Sequence, residues 1–237
     1  MTELSVEIKM QTGAFDLEVA FVAQAGITVL FGPSGAGKST ILGVIAGLQR
    51  PTSGRIALGD QVWFDKNQNL PTHQRGVAIV FQSLALFPHM TGLENVMYGI
   101  NRKLPKAERE QRAEMMLARM HVPHLAGRKP RSYSGGEGQR VALARAFATH
   151  PKIVLLDEPF SAMDRDLRLS LAAEVRSFAN ESGIPFIHVT HHHNEARALA
   201  DRLVLIEHGR VARIGSAEEC LPPPGDNMPL SSRLMVS

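Results

Sequence analysis

The clearest chemical pattern in the chain is a glycine-rich stretch that ends in Lys-Ser-Thr. It consists of Gly32, Pro33, Ser34, Gly35, Ala36, Gly37, Lys38, Ser39 and Thr40, and it fits G-x-x-x-x-G-K-[ST] at every position. An apolar run precedes it and helical apolar spacing follows it, which is the context that this pattern requires. Backbone N–H groups of such a loop surround a phosphate, Lys38 neutralises the β- and γ-phosphate oxygens, and the Ser39 hydroxyl holds Mg²⁺. The phosphate loop (32–40) therefore predicts a nucleoside-triphosphate site.

Two adjacent carboxylates form the second candidate site. Asp157 and Glu158 directly follow the apolar run IVLL (153–156), which is typical of a buried strand. Ligands of open α/β sheets bind at the carboxyl ends of the strands. We therefore expect Asp157 to hold Mg²⁺ through a water molecule and Glu158 to polarise an attacking water.

The stretch SYSGGEGQR (132–140) places a second anion site at a helix start. Ser134 and Glu137, three residues apart, form a capping-box pattern and predict that a helix begins here. The intervening Gly135 and Gly136 are poor helix formers, but without a Cβ they let a ligand approach the free N–H groups of the first turn. Such a helix N-terminus binds anions.

Composition limits the function classes. The 237 residues are 44% hydrophobic and 21% charged, and their formal net charge is +3, with basic residues scattered and not clustered as in nucleic-acid binders. Cys220 is the single cysteine, which excludes an internal disulfide and suits a reducing compartment. The sequence contains neither a signal-peptide pattern nor a run of about 18 apolar residues, so we expect membrane work to require a partner.

Hydrophobic periodicity predicts an α/β fold with a mostly parallel sheet covered by helices on both faces. Strands are expected at 4–8, 17–21, 26–31, 54–58, 77–81, 153–156, 185–190, 203–206 and 210–214. Helices are expected at about 38–48, after Ser134, at about 164–182 and from about Asn194. The segment 84–131 is rich in Met, Arg, Lys and Glu and predicts an inserted helical lobe.

Six motifs in order resemble those of the ATP-binding-cassette (ABC) ATPases over residues 4–219. YSGGE (133–137) resembles the family signature LSGGQ, and besides the two phosphate-binding motifs Gln82 resembles the Q-loop glutamine, 161–164 the D-loop and His191 the switch histidine. Tyr133, Glu137 and Met163 depart from the usual Leu, Gln and Leu. The resemblance implies a P-loop NTPase core with an N-terminal antiparallel β subdomain and a helical lobe at about 84–150, within one ATPase domain at 1–219. Residues 220–237 are expected to be a loop or disordered tail.

The resemblance also implies how the motifs cooperate. ATP and Mg²⁺ are the expected ligands, and two copies form a head-to-tail dimer in which Ser134, Gly135, Gly136 and Glu137 of one copy meet the ATP of the other. Glu158 is the expected general base, and His191 contacts the γ-phosphate. Gln82, with Ser39 and Asp157, contacts the metal ion and links the site to the helical lobe.

Two aromatic or imidazole features remain open. Phe15, upstream of the phosphate loop, is a candidate for stacking on adenine, and a core or strand-edge role is equally compatible with its position. The cluster at 188–193 contains four histidines but no cysteine or second histidine pair at metal-ligand spacing, so a phosphate switch is favoured over a metal site.

Three function classes compete for this chain. A kinase or GTPase leaves the signature and His191 without a role, and soluble ABC ATPases usually carry two cassettes or a long coiled-coil insertion. The nucleotide-binding subunit of a transporter remains, which implies permease subunits, a solute-binding protein, no nucleic acid, and a peripheral place on the cytoplasmic face of the membrane.

The sequence indicates the transported solute only indirectly, because an ATPase subunit does not contact the solute. SLALFPHMT (83–91) followed by Glu94-Asn95-Val96 resembles bacterial importer ATPases, in which this lobe contacts a permease helix. The signature and the stretch at 183–211 look most like molybdate-importer ATPases, while sulfate/thiosulfate, iron and polyamine importers share much of the pattern. Many relatives carry a C-terminal β-rich regulatory domain, for which too few residues follow Cys220.

Overall fold

The computed structural model describes residues 2–11, 16–161 and 163–223. The strands are β1 (Leu4–Gln11), β2 (Asp16–Ala23), β3 (Gly26–Phe31), β4 (Ser53–Leu58), β5 (Gln61–Phe64), β6 (Val77–Val80), β7 (Ile153–Asp157), β8 (Pro185–Thr190), β9 (Arg202–Glu207) and β10 (Arg210–Gly215). The helices are α1 (Lys38–Ala46), α2 (Thr72–Arg75), α3 (Gly92–Gly99), α4 (Lys106–Arg119), α5 (Gly135–Phe147), α6 (Arg165–Ser182), α7 (His193–Leu199) and α8 (Ala217–Cys220). Short 3₁₀ turns occupy Pro123–Leu125 and Pro130–Ser132.

The strands of the described residues form one ten-stranded sheet in the order β5-β4-β1-β2-β10-β9-β3-β8-β7-β6. Strands β9, β3, β8, β7 and β6 are paired in parallel, whereas β5, β4, β1 and β2 are antiparallel. Strand β10 joins the two parts, antiparallel to β9 and parallel to β2. The predicted α/β fold, with a mostly parallel core and an N-terminal antiparallel part, is confirmed.

The inner parallel strands β9, β3, β8 and β7 are buried on both faces, which explains their continuous apolar sequences. In β7, Val154 and Leu156 pack in one core cluster, whereas Ile153 and Leu155 face the other. The first cluster includes residues of α3 to α7, and the second is formed with α1 and the antiparallel strands. Side chains that alternate along a strand thus secure helices to both faces of the sheet.

The segment between β6 and β7 contains the expected helical lobe. Helix α3 begins with a capping box, since the Thr91 hydroxyl accepts the Glu94 N–H and the Glu94 carboxylate accepts the Thr91 N–H. Helices α3, α4 and α5 pack against one another. No helix of the described residues is long and apolar enough to cross a membrane.

Three short elements were not predicted from the sequence. Strand β5 has four residues and includes the fully buried Trp63, and α2 has four residues. Helix α8 extends to Cys220, and Cys220 and Leu221 are both buried. The proposed start of the tail at 220 therefore falls on packed residues, and the chain beyond Pro223 lies outside the described part.

Arg75 of α2 connects these short elements to the helix that follows the phosphate loop. Its side chain is fully buried, and burial lowers the pKa of its guanidinium. Nη1 donates to the carbonyls of Val44 and Ile45, at 2.9 and 2.8 Å, near the end of α1. Nε and Nη2 donate to Leu70 O and Asn69 Oδ1, and the guanidinium lies 5.7 Å from the centre of the Trp63 ring. The cation thus satisfies the Ile45 carbonyl and adds a second hydrogen bond to Val44 O, which also accepts the Gly47 N–H, at a helix C-terminus where positive charge is favourable.

Replacement of this side chain tests its structural role. Arg75→Met keeps apolar volume but removes the described donor of the Ile45 and Leu70 carbonyls, and we expect the free energy of unfolding to fall by about 2–4 kcal/mol. Chemical denaturation measures the change. The exposed Arg50→Met is the matched control and is expected to stay within about 0.5 kcal/mol of the parent. Equal stability of the two variants would contradict the role assigned to Arg75.

Candidate functional site

The phosphate loop lies between the end of β3 and the start of α1. Gly35 and Gly37 have positive φ angles of 82° and 98°, which other residues rarely adopt. No side chain caps the first turn of α1, so its N–H groups can receive a ligand. Pro33, Ser34 and Gly35 are exposed at the open side of this loop, whereas Ala36 is buried and Thr40 is half-buried in the helix.

Lys38 points back into the phosphate loop. Its ammonium donates to the carbonyls of Gly32 and Pro33, both at 2.8 Å, and the residue is only 5% exposed. Burial lowers the pKa of Lys38, and the nearby carboxylates of Glu158 and Asp157 act in the opposite direction. A cation held in this way is ready to pair with phosphate oxygens in addition to the loop carbonyls.

Ser39 and Asp157 meet across the sheet edge. The Ser39 hydroxyl donates to Asp157 Oδ1 at 2.9 Å, although 118 residues separate them in the chain. Burial raises the pKa of Asp157, opposed by the Ser39 hydrogen bond. A hydroxyl and a carboxylate in contact are hard oxygen donors of the kind that Mg²⁺ prefers, so these residues fit the ion. Gln82 is exposed just after β6, with its Nε2 3.4 Å from the Ser161 hydroxyl.

Glu158 and His191 form a pair beside this group. His191 Nδ1 lies 3.0 Å from Glu158 Oε1, and both side chains are partly accessible. Glu158 has a φ angle of 44°, a strained value for a residue with a side chain, and its N–H donates to Val189 O of β8. Strain of this kind is typical of functional positions. The Glu158 side chain is thus fixed at the carboxyl ends of β7 and β8.

A buried network beneath this pair was not found from the sequence. His188 Nε2 contacts Glu195 Oε1 at 2.5 Å, and the Thr190 hydroxyl donates to Glu195 Oε2 at 3.1 Å. Burial raises the pKa of Glu195, but hydrogen bonds from His188 and Thr190 lower it on balance. Thr190 also accepts the N–H of His192, so the network holds both sides of His191. The pattern H-x-x-x-x-x-x-E links residues on different elements and has no helical periodicity to indicate it.

The helix that follows Ser134 has the capping box that the sequence predicts. The Ser134 hydroxyl accepts the Glu137 N–H at 3.3 Å, and Glu137 Oε2 accepts the Ser134 N–H at 2.8 Å. A Cβ built on Gly135 meets nothing within 4 Å, whereas one built on Gly136 lies 2.4 Å from Leu167 Cδ2. Gly135 therefore leaves the approach to the helix open. The small size of Gly136 also serves packing against α6, which the sequence reasoning did not anticipate.

The phosphate loop and the Ser134 helix start are separate within one chain. Apart from backbone bonds within α5, the described hydrogen bonds of Ser134 and Glu137 involve 124, 134, 137 and 138, and none reaches the residues at 32–40. The two helix N-termini thus share no described hydrogen bond.

The loop between Gln82 and α3 is held by two polar side chains. Arg145 of α5 donates to the carbonyls of Leu84 and Ala85, at 2.8 and 2.7 Å, and both of these residues have positive φ angles. The fully buried Asn95 accepts the Phe87 N–H and donates to Phe87 O, Met90 O and Thr91 O. Phe87 packs on the exposed Tyr98 with ring centroids 4.5 Å apart. Leu86, Phe87 and Met90 are half-buried here and form one edge of the lobe.

Two predicted contacts cannot be placed. Phe15 and Ala162, the second residue of the 161–164 motif, lie outside the described residues. The four histidines do not form one site: His188 contacts Glu195, His191 contacts Glu158, and His193 packs edge-on against Phe31. The ring of His192 lies beside that of His191, with centroids 4.2 Å apart. In the described part of the chain, no group of three or more His, Cys, Asp or Glu side chains is arranged to hold a metal ion.

Comparisons with known proteins agree with this geometry. Residues 19–161 match the family described as ABC transporter. The molybdenum import ATP-binding protein ModC of Brucella melitensis is 40% identical over 224 residues, which are 94% of this chain and 62% of that protein. The spermidine/putrescine import ATP-binding protein PotA of Pseudomonas fluorescens is 44% identical over 200 residues, 82% of this chain and 53% of that protein. The chain thus spans between half and two thirds of the length of these curated relatives.

Solved structures share this fold over most of the chain. The dimeric structure of MJ0796, a bacterial ABC transporter cassette, has a TM-score of 0.78 at 28% identity and covers 91% of this chain and 98% of that one. A dimeric post-hydrolysis state of the same cassette, bound to ADP and Pi, has the same TM-score at 29% identity.

Two glycines of the candidate site differ in whether packing requires them: Gly32 lies against a neighbouring strand, and Gly135 faces open space. A Cβ at Gly32 lies 2.1 Å from the backbone oxygen of Ile206 in β9, so Gly32→Ala is expected to lower the free energy of unfolding by about 1–3 kcal/mol. Gly135→Ala meets open space and is expected to stay within about 0.5 kcal/mol. Urea denaturation of both variants measures the difference, and equal losses would show that the β3–β9 approach does not require Gly32.

Proposed function

The chain belongs to the ABC transporter family, and from this premise we propose that it is the ATP-hydrolysing nucleotide-binding subunit of an importer. The observation that carries the proposal is the convergence of Lys38, Asp157, Glu158 and His191 at the carboxyl edge of the parallel sheet. This edge is where open α/β folds bind ligands. A phosphate-binding cation, a metal-binding pair and a base beside a histidine are the parts that hydrolysis of a nucleoside triphosphate needs.

Glu158 is the proposed general base. A water between Glu158 and the γ-phosphate attacks phosphorus, the bond to the β-phosphate oxygen breaks, and the water proton passes to the Glu158 carboxylate. Lys38 stabilises the charge that accumulates on the phosphate oxygens. The contact from His191 fixes the carboxylate on the side from which the water approaches.

His191 can serve as the phosphate switch only by changing a hydrogen bond. An ionised carboxylate is only an acceptor, so Nδ1 carries a proton in the 3.0 Å contact with Glu158. Nε2 of a neutral ring is then an acceptor and repels phosphate oxygens. A bond from His191 Nε2 to the γ-phosphate therefore requires a second ring proton, release from Glu158, or a protonated Glu158 that donates to Nδ1, and each of these links His191 to the state of the base.

The proposed metal ion is Mg²⁺, held by the Ser39 hydroxyl and, through water, by Asp157, with Gln82 as a further ligand from the helical lobe. Bound there, it neutralises phosphate charge during hydrolysis. Burial raises the pKa of Asp157, and the Ser39 hydrogen bond and the Lys38 charge do not fully offset it, so a cation beside Asp157 would supply compensating charge.

We propose that hydrolysis takes place in a head-to-tail homodimer. Ser134 and Gly136 of one copy contact the γ-phosphate that Lys38 of the other copy holds. The absence of any described hydrogen bond between 32–40 and 133–137 within one chain supports this division, as do the dimeric cassettes of similar fold. Two-fold symmetry then creates two equal sites.

The helical lobe is the proposed contact with the permease. The edge formed by Leu86, Phe87 and Met90 is apolar, adjoins the exposed Tyr98 and is held rigid by Asn95 and Arg145. A short permease helix fits such a surface. On this basis the proposed location is the cytoplasmic face of the membrane, as a peripheral subunit, with a solute-binding protein as an indirect partner.

Molybdate, or a related oxyanion, is the proposed solute. The support is the similarity to molybdenum import proteins over 94% of the chain. Polyamine import is the second candidate, because the similarity to spermidine/putrescine import proteins is 44% over a shorter region. Sulfate/thiosulfate and iron importers remain alternatives of the same family.

Glu158→Gln tests the catalytic assignment. Removal of the base is expected to lower the ATPase rate about 10²–10⁴-fold while ATP binding persists. Because ATP is then bound without being hydrolysed, the variant is expected to elute as a dimer in size-exclusion chromatography with ATP and as a monomer without it. The exposed Glu114→Gln is the control and keeps the parent rate. A Glu158→Gln protein with normal turnover would remove Glu158 from the mechanism.

Uptake measurements test the solute. In cells of the source organism lacking this chain, we expect high-affinity uptake of labelled molybdate to be lost, and labelled sulfate and spermidine to enter normally. The wild-type gene restores molybdate uptake and the Glu158→Gln gene does not. Loss of spermidine uptake with normal molybdate uptake would assign the chain to polyamine import instead.

A further inference from the structure

Glu137 differs from the usual glutamine of the signature, and both of its carboxylate oxygens have partners. Oε2 accepts the Ser134 N–H at 2.8 Å, and Oε1 lies 2.9 Å from Nε2 of His124. These hydrogen bonds, with that from His124 the strongest influence, lower the pKa of Glu137 to about 2. The residue is therefore ionised at neutral pH, at the start of the helix that meets the phosphate in the proposed dimer.

A Glu137 carboxylate without a second partner suits the helix N-terminus itself but is unfavourable for phosphate binding at the same point. The positive end of the α5 dipole attracts anions, so the Glu137 carboxylate competes with a phosphate for the same N–H groups. It also repels a phosphate bound to Ser134, because the Glu137 oxygen lies against the Ser134 backbone. A glutamine has no such charge, and its own NH₂ group is a donor.

His124 supplies the missing donor from a fixed position. It lies in the 3₁₀ turn Pro123–Leu125, which Val122 and Leu125 hold in the core with 1% and 0% exposure. The carbonyls of Ala126 and Arg128 accept the N–H groups of Leu93 and Gly92 at the start of α3. The His124 side chain is itself 54% exposed, so its contact with Glu137 accounts for its orientation.

Other nearby cations are engaged elsewhere. Arg140 donates to Glu174 and to Met120 O, and Arg128 donates to Ser132 O. His121, in the same connection, faces Glu174 at 3.9 Å and not Glu137. Among the described residues, His124 is the side chain that pairs with Oε1 of Glu137.

We propose that His124 is a positioning residue of the ATP site. Its Nε2–H holds the Glu137 carboxylate on the Ser134 N–H, which leaves the Ser134 hydroxyl proton and the Gly135 and Gly136 N–H groups for the phosphate of the partner copy. His124 thus supplies the hydrogen-bond donor that the carboxylate needs where Glu137 stands in place of the usual glutamine. The inference rests on the proposed function, because it assumes that the signature helix meets the ATP of a second copy.

A double-mutant cycle on ATP-driven dimerisation tests the proposal. In the Glu158→Gln background, which blocks hydrolysis, analytical ultracentrifugation gives the ATP concentration for half-maximal dimer formation. We expect His124→Ala to raise this concentration about tenfold, and His124→Gln, which keeps an N–H donor, to recover most of the loss. When Glu137→Gln is also present, His124→Ala is expected to change the ATP concentration for half-maximal dimer formation less than twofold. His121→Ala is the matched control and leaves the value unchanged.

The outcomes separate this role from a merely structural one. If His124→Ala has the same effect whether residue 137 is Glu or Gln, the coupling between His124 and Glu137 is rejected. An effect of His124→Ala that His124→Gln does not recover would also reject it. Thermal unfolding of each variant shows whether the lobe stays folded, and a melting temperature within two or three degrees of the parent is expected. A larger drop that Glu137→Gln does not rescue would also reject the proposal.

Ser134→Arg in the same background tests the premise separately. If this variant dimerises with ATP as the parent does, the shared ATP site is wrong and the inference falls with it. If Ser134→Arg loses dimerisation while His124→Ala dimerises at the parent ATP concentration, the shared site stands and only the role of His124 is rejected.

Discussion

The buried ammonium of Lys38 is the charge on which the arrangement of the site depends. An unpaired cation at 5% exposure is costly, and here two loop carbonyls at 2.8 Å and the carboxylates of Asp157 and Glu158 offset that cost. These partners come from two strands, β3 and β7, which β8 separates. The parallel sheet is therefore what brings the phosphate-binding cation and the acidic residues to one edge, and its double-sided core keeps them there.

Cations that hold backbone carbonyls recur elsewhere in the molecule. Arg75 binds the last carbonyls of α1, and Arg145 binds those of the strained Leu84 and Ala85. Both guanidiniums have a pKa lowered by burial, and among the described residues neither forms an ion pair with a carboxylate. An arginine in this role connects elements through neutral carbonyls. It needs no carboxylate partner whose interactions would change when ATP or Mg²⁺ binds. Arg145 in particular ties the helix that begins after Ser134 to the loop that follows Gln82.

The sequence was sufficient to predict local structure where the residue types present favour one conformation strongly. The glycines with positive φ, the Ser134–Glu137 capping box and the continuous apolar strands each follow from local chemistry, and the structure confirms the helix start and the strands that they predict. The short elements β5 and α2 were missed because four residues are too few to establish a period, and burial of Trp63 and Arg75 stabilises them from a distance. The His188–Glu195 pair and the contact of Arg145 were missed because tertiary packing alone brings these residues together. Long-range polar contacts of this kind leave no mark on local hydrophobic spacing.

The two glycines of the signature show that neighbouring residues of one motif can have different structural roles. Gly135 and Gly136 are adjacent and carry the same expectation, that a ligand approaches an open helix terminus. The structure leaves that space open at Gly135, whereas at Gly136 the Leu167 side chain of α6 occupies the position of a Cβ. Leu167 lies three residues after Asp164, whose carboxylate caps α6 by accepting the Leu167 N–H. The close approach at Gly136 thus fixes the signature helix against the helix that follows the D-loop, so two motifs that meet ATP in the proposed dimer are joined within one chain. In the proposed dimer, this contact would transmit a displacement of one of these helices to the other.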